Sequence, residues 1–217
     1  MEMKKLLESL VEKNKVYAKE GKLASYIPAL MEADPEALGV CVVDLKDKYE
    51  FWAGDSDVKF TIQSISKVVS LIIALNDNGR TNVFSKVNVE PTGMGFNSIV
   101  NLEAAMENRP YNPMINAGAI VTTSLIFGET QERKLERILN FMRRDTNNPH
   151  IGINEEIYLN EKATGDRNRA LAYYMKSTGA LEGDVEEVLD LYFKQCSIEA
   201  TARDLARFGA VIANDGV

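Results

Sequence analysis

The chain has 217 residues, and its 25 Lys plus Arg against 32 Asp plus Glu give a formal net charge of −7. Its content of 45% hydrophobic and 26% charged residues is close to that of globular proteins, which excludes a disordered chain, a collagen-like repeat and a disulfide-dense scaffold. The length suits one large domain, and because no internal repeat or low-complexity linker divides the chain, we interpret residues 1–217 as a single domain.

The N-terminal part of the sequence predicts a helix, one further turn of helix and a β-hairpin. Apolar residues recur at helical spacing through residues 2–20, and a proline in the first turn indicates a second, brief helix at 26–31. Residues 39–44 and 49–53 are rich in β-branched and aromatic side chains and flank a polar turn, which is typical of a hairpin. A third extended segment at 58–62 could join that hairpin.

Beyond Gln63 the pattern is mostly helical. Residues 64–76 are apolar on nearly all sides and stop before Asn78-Gly79, which predicts a helix buried in the middle of the fold. Further helices are expected at residues 117–127, 132–144, 155–163, 167–176, 184–195 and 198–214. The fold class is therefore α/β (α+β), with an antiparallel sheet beside a large helical cluster.

The predicted sheet is too small for the number of helices. Two or three strands leave unpaired edges, and an isolated hairpin is only marginally stable in water. The chain also ends at residues 214–217 in a pattern that normally stops a helix. We therefore expect this sequence to be a fragment of a longer protein that supplies the missing strands.

Several classes of function are excluded by what the sequence lacks. The longest apolar stretch, Val68–Leu75, is far shorter than the ~20 residues of a membrane-spanning helix, and the N-terminus does not have the pattern of a secretory signal. The acidic balance and the absence of a basic run or glycine-rich phosphate loop argue against nucleic acids and nucleotides. We expect a cytoplasmic protein that binds neither nucleic acid nor a membrane.

Cysteine and histidine are too few for most metal or redox chemistry. Cys41 and Cys196 lie far apart, and the one histidine, His150, follows two asparagines and a proline in a predicted loop. We therefore predict no metal site, and any hydrolase of this sequence is expected to use a base other than histidine.

A serine can instead be activated by a lysine one helical turn away, since residues i and i+3 share a helix face. Of the two S-x-x-K matches, Ser56 to Lys59 runs into an extended segment, where positions three apart face opposite sides. The other match, Ser64 to Lys67, lies at the start of the buried helix, where desolvation would lower the pKa of the lysine and allow a neutral amine to act as a base. On spacing alone, Ser64 could merely cap the helix and Lys67 could extend its amine to the surface.

Four other polar positions are candidates with equally ordinary alternatives. Asn116 precedes a run of small and apolar residues and could be a helix N-cap. Glu161 and Asn168 flank a glycine break that could be a solvated turn, and Tyr192 could be a core aromatic residue.

Taken together, five motifs in order along the chain resemble the serine-dependent glutaminase family. They are Tyr26-Ile27-Pro28; Gln63-Ser64-Ile65-Ser66-Lys67; the segment from Asn112-Pro113 to Asn116-Ala117-Gly118-Ala119; the segment from Glu161 through Thr164-Gly165-Asp166-Arg167-Asn168-Arg169; and the segment from Tyr192 through Cys196-Ser197-Ile198-Glu199. The resemblance implies a β-lactamase/transpeptidase-like fold and hydrolysis of L-glutamine to L-glutamate and ammonia without a cofactor. It also implies a homo-oligomer, either a dimer or a tetramer.

The resemblance assigns roles to seven residues. Ser64 matches the nucleophile, Lys67 the group that takes or relays its proton, and Tyr26 a tyrosine of the site wall near the substrate. The positions that hold the α-amino and α-carboxylate ends of glutamine are matched by Asn116, Glu161, Asn168 and Tyr192. Members of the family continue into strands that carry a second catalytic tyrosine and a Lys-Ser-Gly-Val-Gly-type segment. The resemblance therefore identifies this chain as C-terminally truncated, and leaves the activity of the 217 residues alone open.

Two alternatives to a glutaminase remain. Another S-x-x-K hydrolase, similar to penicillin-binding proteins or β-lactamases, would share the nucleophile but requires a Ser-x-Asn motif and usually an export signal, neither of which is found. A catalytically inactive fragment that acts as an interaction protein would keep the helical cluster without the catalytic chemistry.

Overall fold

The computed structural model of the protein describes residues 2–104 and 109–216. Its helices are α1 (Glu2–Lys15), α2 (Ser66–Phe84), α3 (Ile99–Ala104), α4 (Asn116–Ser124), α5 (Gln131–Thr146), α6 (Glu155–Thr164), α7 (Asp166–Ser177), α8 (Val185–Cys196) and α9 (Ala202–Ala213). Its strands are β1 (Gly39–Val43), β2 (Glu50–Gly54), β3 (Phe60–Thr61) and β4 (Glu199–Ala200), and short 3₁₀ segments cover Val16–Glu20, Pro28–Glu32 and Gln63–Ile65.

The predicted β-hairpin is confirmed. Strands β1 and β2 pair antiparallel, with Gly39 opposite Gly54 and Val43 opposite Glu50. The turn between them is held by Asp44, whose carboxylate accepts hydrogen bonds from two backbone amides of the turn. Helix α1 packs mainly against β2 and helix α9 against β1, so these two helices stabilise the hairpin from both ends of the described chain.

The third extended segment forms, but its predicted partner is wrong. Strand β3 pairs antiparallel with β4 instead of joining the hairpin, with Phe60 opposite Ala200. The amide of Ile62 also donates to the carbonyl of Ile198 at 2.8 Å, and the amide of Glu199 donates to the carbonyl of Gly152 at 2.9 Å. Because residues 198–200 find these backbone partners in an extended conformation, they are not helical as we expected, and α9 begins only after a capping box at Thr201.

The buried central helix is confirmed, although its predicted ends are not. Helix α2 begins at Ser66, and its residues Val69 and Ala74 have no exposed surface. The expected stop at Gly79 is only a break, since this residue has φ 72° and ψ 162° and helical structure resumes up to Phe84. Glycine adopts such a positive φ without a steric penalty, so the helix kinks at this exposed position and continues beyond it.

Helix α8 lies between two apolar clusters that form the core. One cluster joins α8 to α4 and α7 through Leu189 and Leu171, and the other joins it to α2 and α5 through Leu191 and Val69. The remaining helices agree with the sequence prediction to within a few residues, except that α3 was not predicted. None of the helices in the described part of the chain combines the length and the apolar character needed to cross a lipid bilayer.

Candidate active site

A cavity of about 410 Å³ opens where the 3₁₀ turn before α2 meets the start of α4 and the facing sides of α6, α7 and α8. Its wall contains six of the seven predicted site residues: Tyr26, Ser64, Asn116, Glu161, Asn168 and Tyr192. The seventh, Lys67, lies behind this wall in contact with Asn116. Residues more than 160 positions apart in the chain are thus brought to one site.

Ser64 presents its side chain from the 3₁₀ turn that precedes α2. It is exposed, lines the cavity, and makes no side-chain hydrogen bond with any residue that the structure describes. The alternative in which Ser64 caps the helix is wrong, because Ile65 occupies the N-cap position and no side chain caps this end. The serine hydroxyl is therefore free to react with a molecule in the cavity.

The residue before Ser64 has an unusual backbone conformation. Gln63 has φ 45°, a region that residues other than glycine seldom adopt. Its side chain is held at both ends, since the Tyr26 hydroxyl donates to Oε1 at 3.2 Å and Nε2 donates to Thr61 Oγ1 at 3.0 Å. The turn that carries Ser64 is thereby attached to the cavity wall. We assigned Gln63 no role from the sequence, although it stands in the same motif as Ser64.

Lys67 is buried, which contradicts the alternative of a surface lysine. The residue is 2% exposed. Its Nζ donates to the carbonyl oxygen of Met114 at 3.0 Å and to Asn116 Oδ1 at 2.7 Å, and it lies 5.2 Å from the centre of the Phe96 ring. Desolvation lowers the pKa of the Lys67 amine from its usual value. This environment suits a lysine that exchanges protons.

Asn116 is the first residue of α4 and not its N-cap, which is Ile115. Its side chain instead joins Lys67 to Asn168, because its Nδ2 donates to Asn168 Oδ1 at 3.0 Å. A glycine two residues later permits this arrangement, since a Cβ at Gly118 would lie 1.9 Å from the carbonyl oxygen of Asn112. The close approach of these backbones places the Met114 carbonyl within reach of the buried amine.

Glu161 is the most unusual group in the cavity wall. It is 8% exposed, and its Oε2 has no hydrogen-bond partner among the described residues. Burial raises its pKa from 4.5 to about 8, because the charged form is poorly solvated there. A solvated turn, the ordinary alternative for this segment, is therefore wrong for Glu161. A buried carboxyl with a free oxygen can be stabilised by a cationic ligand that enters the cavity.

Two residues of α8 complete the wall. Tyr192 is 2% exposed, and burial raises the pKa of its phenol well above the usual value. Cys196, to which we assigned no role from the sequence, also lines the cavity, and its Sγ lies 3.7 Å from Ser66 Oγ. Burial likewise raises the pKa of this thiol, so it remains protonated. Within residues 2–104 and 109–216, no group of three or more His, Cys, Asp or Glu side chains could hold a metal ion.

Comparisons with known proteins agree on one family. The Glutaminase family model matches residues 21–217. Among curated proteins, Glutaminase 2 of Clostridium perfringens is 60% identical over 215 residues, which cover 99% of this chain and 70% of that protein. A glutaminase of Clostridium botulinum is 58% identical with the same coverage.

Solved structures show the same relationship. A probable glutaminase from Bacillus subtilis has a TM-score of 0.89 at 41% identity, covering 99% of this chain and 65% of that chain. A structure of a probable glutaminase from the same organism, complexed with 6-diazo-5-oxo-L-norleucine, has a TM-score of 0.85 at 40% identity and covers 97% of this chain and 63% of that chain. These similarities confirm the fold class that the sequence indicated.

The relatives are longer than this chain, so the similarity covers only part of their length. The chain spans about 70% of the curated relatives and about two thirds of the Bacillus chains, so the rest of those proteins has no counterpart in these 217 residues. The matched part nevertheless includes all seven candidate site residues, since the family model extends from residue 21 to residue 217. The chain belongs to the glutaminase family.

Proposed function

We propose that the protein hydrolyses L-glutamine to L-glutamate and ammonia through Ser64. One observation carries this proposal: a serine hydroxyl without a hydrogen bond shares a cavity with a buried carboxyl that lacks a partner on one oxygen. The hydroxyl supplies a nucleophile, and the carboxyl supplies a place for an ammonium group. An amino acid with an amide in its side chain satisfies both.

Charge and hydrogen bonding explain how the cavity residues would bind the substrate. The ionised Glu161 pairs with the α-ammonium group, while the amide of Asn168 and the phenol of Tyr192 can donate to the α-carboxylate. Asn116 contributes a further amide, and Tyr26 closes the wall beside Gln63. The bacterial relative solved with 6-diazo-5-oxo-L-norleucine supports an amino-acid ligand, since that molecule has the α-amino and α-carboxylate groups of an amino acid.

The chemical step requires a base for the serine proton. A neutral Lys67 amine has two hydrogens, and both can be donated to the oxygens of Met114 and Asn116, so that its lone pair remains free to accept the proton of Ser64. Ser64 Oγ then attacks the side-chain amide carbon, the proton passes to the leaving nitrogen, and ammonia departs. Water hydrolyses the γ-glutamyl ester and restores the serine hydroxyl.

Three further statements about the whole protein belong to this proposal. We infer a single domain that corresponds to the larger part of a longer glutaminase, a homo-oligomer of two or four chains, and a cytoplasmic location. The length of the curated relatives supports the first of these. The resemblance to the family supports the second. Light scattering of the purified protein measures the oligomeric state directly.

Ammonia release from L-glutamine tests the proposal. We expect Ser64→Ala to lose at least about 10³-fold in kcat, because removal of a nucleophile usually costs that much or more. Ser56→Ala is the matched control, since it deletes a hydroxyl of the other S-x-x-K match that is buried, has no partner among the described residues and is not part of the cavity wall. Equal rates for the wild type and Ser64→Ala would contradict the serine mechanism.

Two other outcomes would favour the alternatives. Acylation of Ser64 by a penicillin, detected by mass spectrometry, would indicate a penicillin-binding or β-lactamase-like hydrolase. Binding of L-glutamate without ammonia release by any variant would instead indicate a catalytically inactive fragment that keeps the amino-acid site.

A further inference from the structure

Cys196 is a buried thiol in the cavity wall that the proposed mechanism does not use. It follows Tyr192 by one helical turn on α8, and 3% of the residue is exposed. Its Sγ lies 3.7 Å from Ser66 Oγ at the start of α2, and the thiol also makes hydrogen bonds with Glu161 and Tyr192. One sulfur atom thus joins the central helix to two residues of the cavity wall.

The charge of Glu161 determines the direction of these hydrogen bonds. An ionised carboxylate only accepts, so the thiol must donate its single hydrogen to Glu161. The hydroxyl of Ser66 must then donate to the sulfur, because the thiol has no second hydrogen. The hydrogen bonds therefore run from Ser66 through Cys196 to one oxygen of Glu161. The other oxygen, Oε2, has no partner within the described part of the chain.

A thiol is a weak hydrogen-bond donor, so it stabilises the ionised form of a buried carboxyl only slightly. Burial raises the pKa of Glu161 to about 8, and the hydrogen bond with Cys196 opposes this increase to a smaller extent. A hydroxyl at the same position would be a stronger donor and would lower the pKa of the carboxyl further. The sulfur therefore contacts Glu161 but leaves it poorly compensated until a cation enters the cavity.

We propose that Cys196 is a positioning residue that holds one oxygen of Glu161 in the cavity wall through a weak S–H hydrogen bond, and leaves the other oxygen for the ammonium group of the ligand. Cys196 acts through Glu161 and not on the reacting atoms. The inference rests on the proposed function, because it takes the cation at Glu161 to be the ammonium group of an amino acid. It adds to that function the residue that sets the pH range of amino-acid binding.

The other titratable groups that face this part of the cavity do not set that pH range. Burial raises the pKa of the Tyr26 and Tyr192 phenols above the usual value of 10.0, so both remain uncharged near neutral pH. Lys67 acts electrostatically on the Cys196 thiol. Replacing this thiol by another neutral side chain adds no charge near the lysine, whereas it changes the hydrogen bond to Glu161 directly.

The charged groups on the elements around α6 are paired or keep their charge. The ion pairs are Asp190 with Lys162 and Lys194, and Arg169 with Asp166 and Glu186. Glu32, in the 3₁₀ segment that packs against α6, is exposed to solvent. Arg167 in the cavity wall stays protonated at any pH at which the protein is folded. A change at position 196 therefore acts mainly on Glu161.

Two substitutions at position 196 test this role, because they keep the residue small and uncharged but change its hydrogen bond in opposite directions. Cys196→Ser supplies a stronger donor, so Glu161 should ionise at lower pH. Cys196→Ala removes the donor, so Glu161 should ionise at higher pH. The readout is the pH at which the dissociation constant of L-glutamate, measured by calorimetric titration between about pH 6 and pH 9, stops falling.

The expected changes in affinity are modest but opposite in sign. The wild-type affinity should level off near pH 8, where Glu161 becomes ionised. At about pH 7 we expect Cys196→Ser to bind L-glutamate about threefold more tightly than the wild type and Cys196→Ala about twofold more weakly. The three affinities should converge toward pH 9, because the carboxyl is then mostly ionised in each protein.

The chain offers a matched control in its other cysteine. Cys41 lies in β1 near Glu50 and is not part of the cavity wall, so Cys41→Ser and Cys41→Ala should leave the pH dependence of binding unchanged. Ser66→Ala extends the test, since it removes the hydroxyl that donates to the sulfur and thereby weakens the S–H donor. It should shift the pH dependence in the same direction as Cys196→Ala, but by less.

Opposite shifts in the two variants at position 196, with none in the variants at position 41, support the inference. Shifts in the same direction, as a residue that only fills space would give, overturn it, and so does an unchanged pH dependence. If a variant at position 196 does not fold, Ser66→Ala decides, because no shift or a shift to lower pH contradicts the proposed line of hydrogen bonds. Failure of the proposed function would be seen separately: the wild type would then release no ammonia from L-glutamine and bind no L-glutamate at any pH, and the inference would fail with it.

Discussion

Two glutamates with little exposed surface, Glu50 in the hairpin and Glu161 in the cavity, have opposite surroundings. Glu50 Oε1 accepts from Arg203 Nε at 2.5 Å and its Oε2 accepts from Arg207 Nε at 2.8 Å. Burial raises its pKa, but the hydrogen bonds from Arg207 and Arg203 outweigh burial and hold the pKa below the usual value. Glu161 has no such cation, and burial raises its pKa to about 8 despite a smaller opposing effect of a hydrogen bond with Cys196.

The contrast separates a structural carboxylate from a functional one. Glu50 ties the hairpin to α9 with charges that are already paired, so a ligand would gain nothing there. Glu161 lies at the wall of a cavity, and one of its oxygens has no partner among the described residues. This lowers the stability of the ligand-free protein, and a cationic ligand that pairs with the carboxylate can restore it. Proteins tolerate such groups mainly at functional sites.

The largest effect expected from this contrast is a pH dependence of ligand binding. Below pH 8 the Glu161 carboxyl is protonated and cannot pair with an ammonium group, whereas raising the pH through about 8 produces the carboxylate. We expect the affinity for L-glutamate to fall about tenfold per pH unit below 8, so that the dissociation constant at pH 6 exceeds that at pH 8 by roughly 50-fold. Calorimetric titration at the two pH values measures the change.

Glu161→Gln is the control for this dependence. The substitution removes the titrating group, so binding should be weak at both pH values and nearly independent of pH between them. Equal affinities of the wild type at pH 6 and pH 8 would show that Glu161 is not the group that meets the ammonium.

A smaller effect, on stability and not on binding, is expected when the paired carboxylate of Glu50 is removed. Glu50→Gln leaves Arg203 and Arg207 side by side without a shared anion, and we expect it to lower the free energy of unfolding by about 2 kcal/mol. This is less than the 3–5 kcal/mol typical of a fully buried pair, because these side chains remain partly solvated. Urea denaturation measures the loss. A stability equal to that of the wild type would mean that the cluster does not attach α9 to the hairpin.

The smallest effect is expected at a carboxylate that is paired but exposed. Asp57 accepts from Arg203 at 3.1 Å, yet 68% of its side chain is exposed. We expect Asp57→Asn to change the free energy of unfolding by less than about 0.5 kcal/mol, since water and salt screen such pairs. If this variant lost as much stability as Glu50→Gln, burial would not be what distinguishes the two carboxylates.

Much of the secondary structure could be predicted because its causes are local. The alternation of side chains in residues 39–54 and the helical spacing in α5 to α8 are properties of short segments, and the structure agrees with both. The prediction failed where a distant partner decided the conformation. Residues 198–200 are extended because the backbones of Ile62 and Gly152 hydrogen bond to them, and their own sequence favoured a helix.

The sequence likewise predicted some features of the candidate site and not others. Motifs in the sequence were sufficient to select Ser64, Glu161 and Asn168, and the structure places them around one cavity. The spacing of Ser64 and Lys67 did not reveal that Lys67 would turn inward to the Met114 carbonyl and to Asn116, because those acceptors come from a loop and a helix almost 50 residues away.

The sequence by itself determined the helical cluster, the hairpin and the set of residues from which the site is built, because periodicity and motif spacing act within short segments. Only the tertiary structure decided that Glu50 is paired while one oxygen of Glu161 is not, and that the Asn116 amide joins the buried Lys67 to Asn168. Both depend on which groups meet across the fold, and the pKa of a buried carboxyl and the direction of an amide follow from those neighbours.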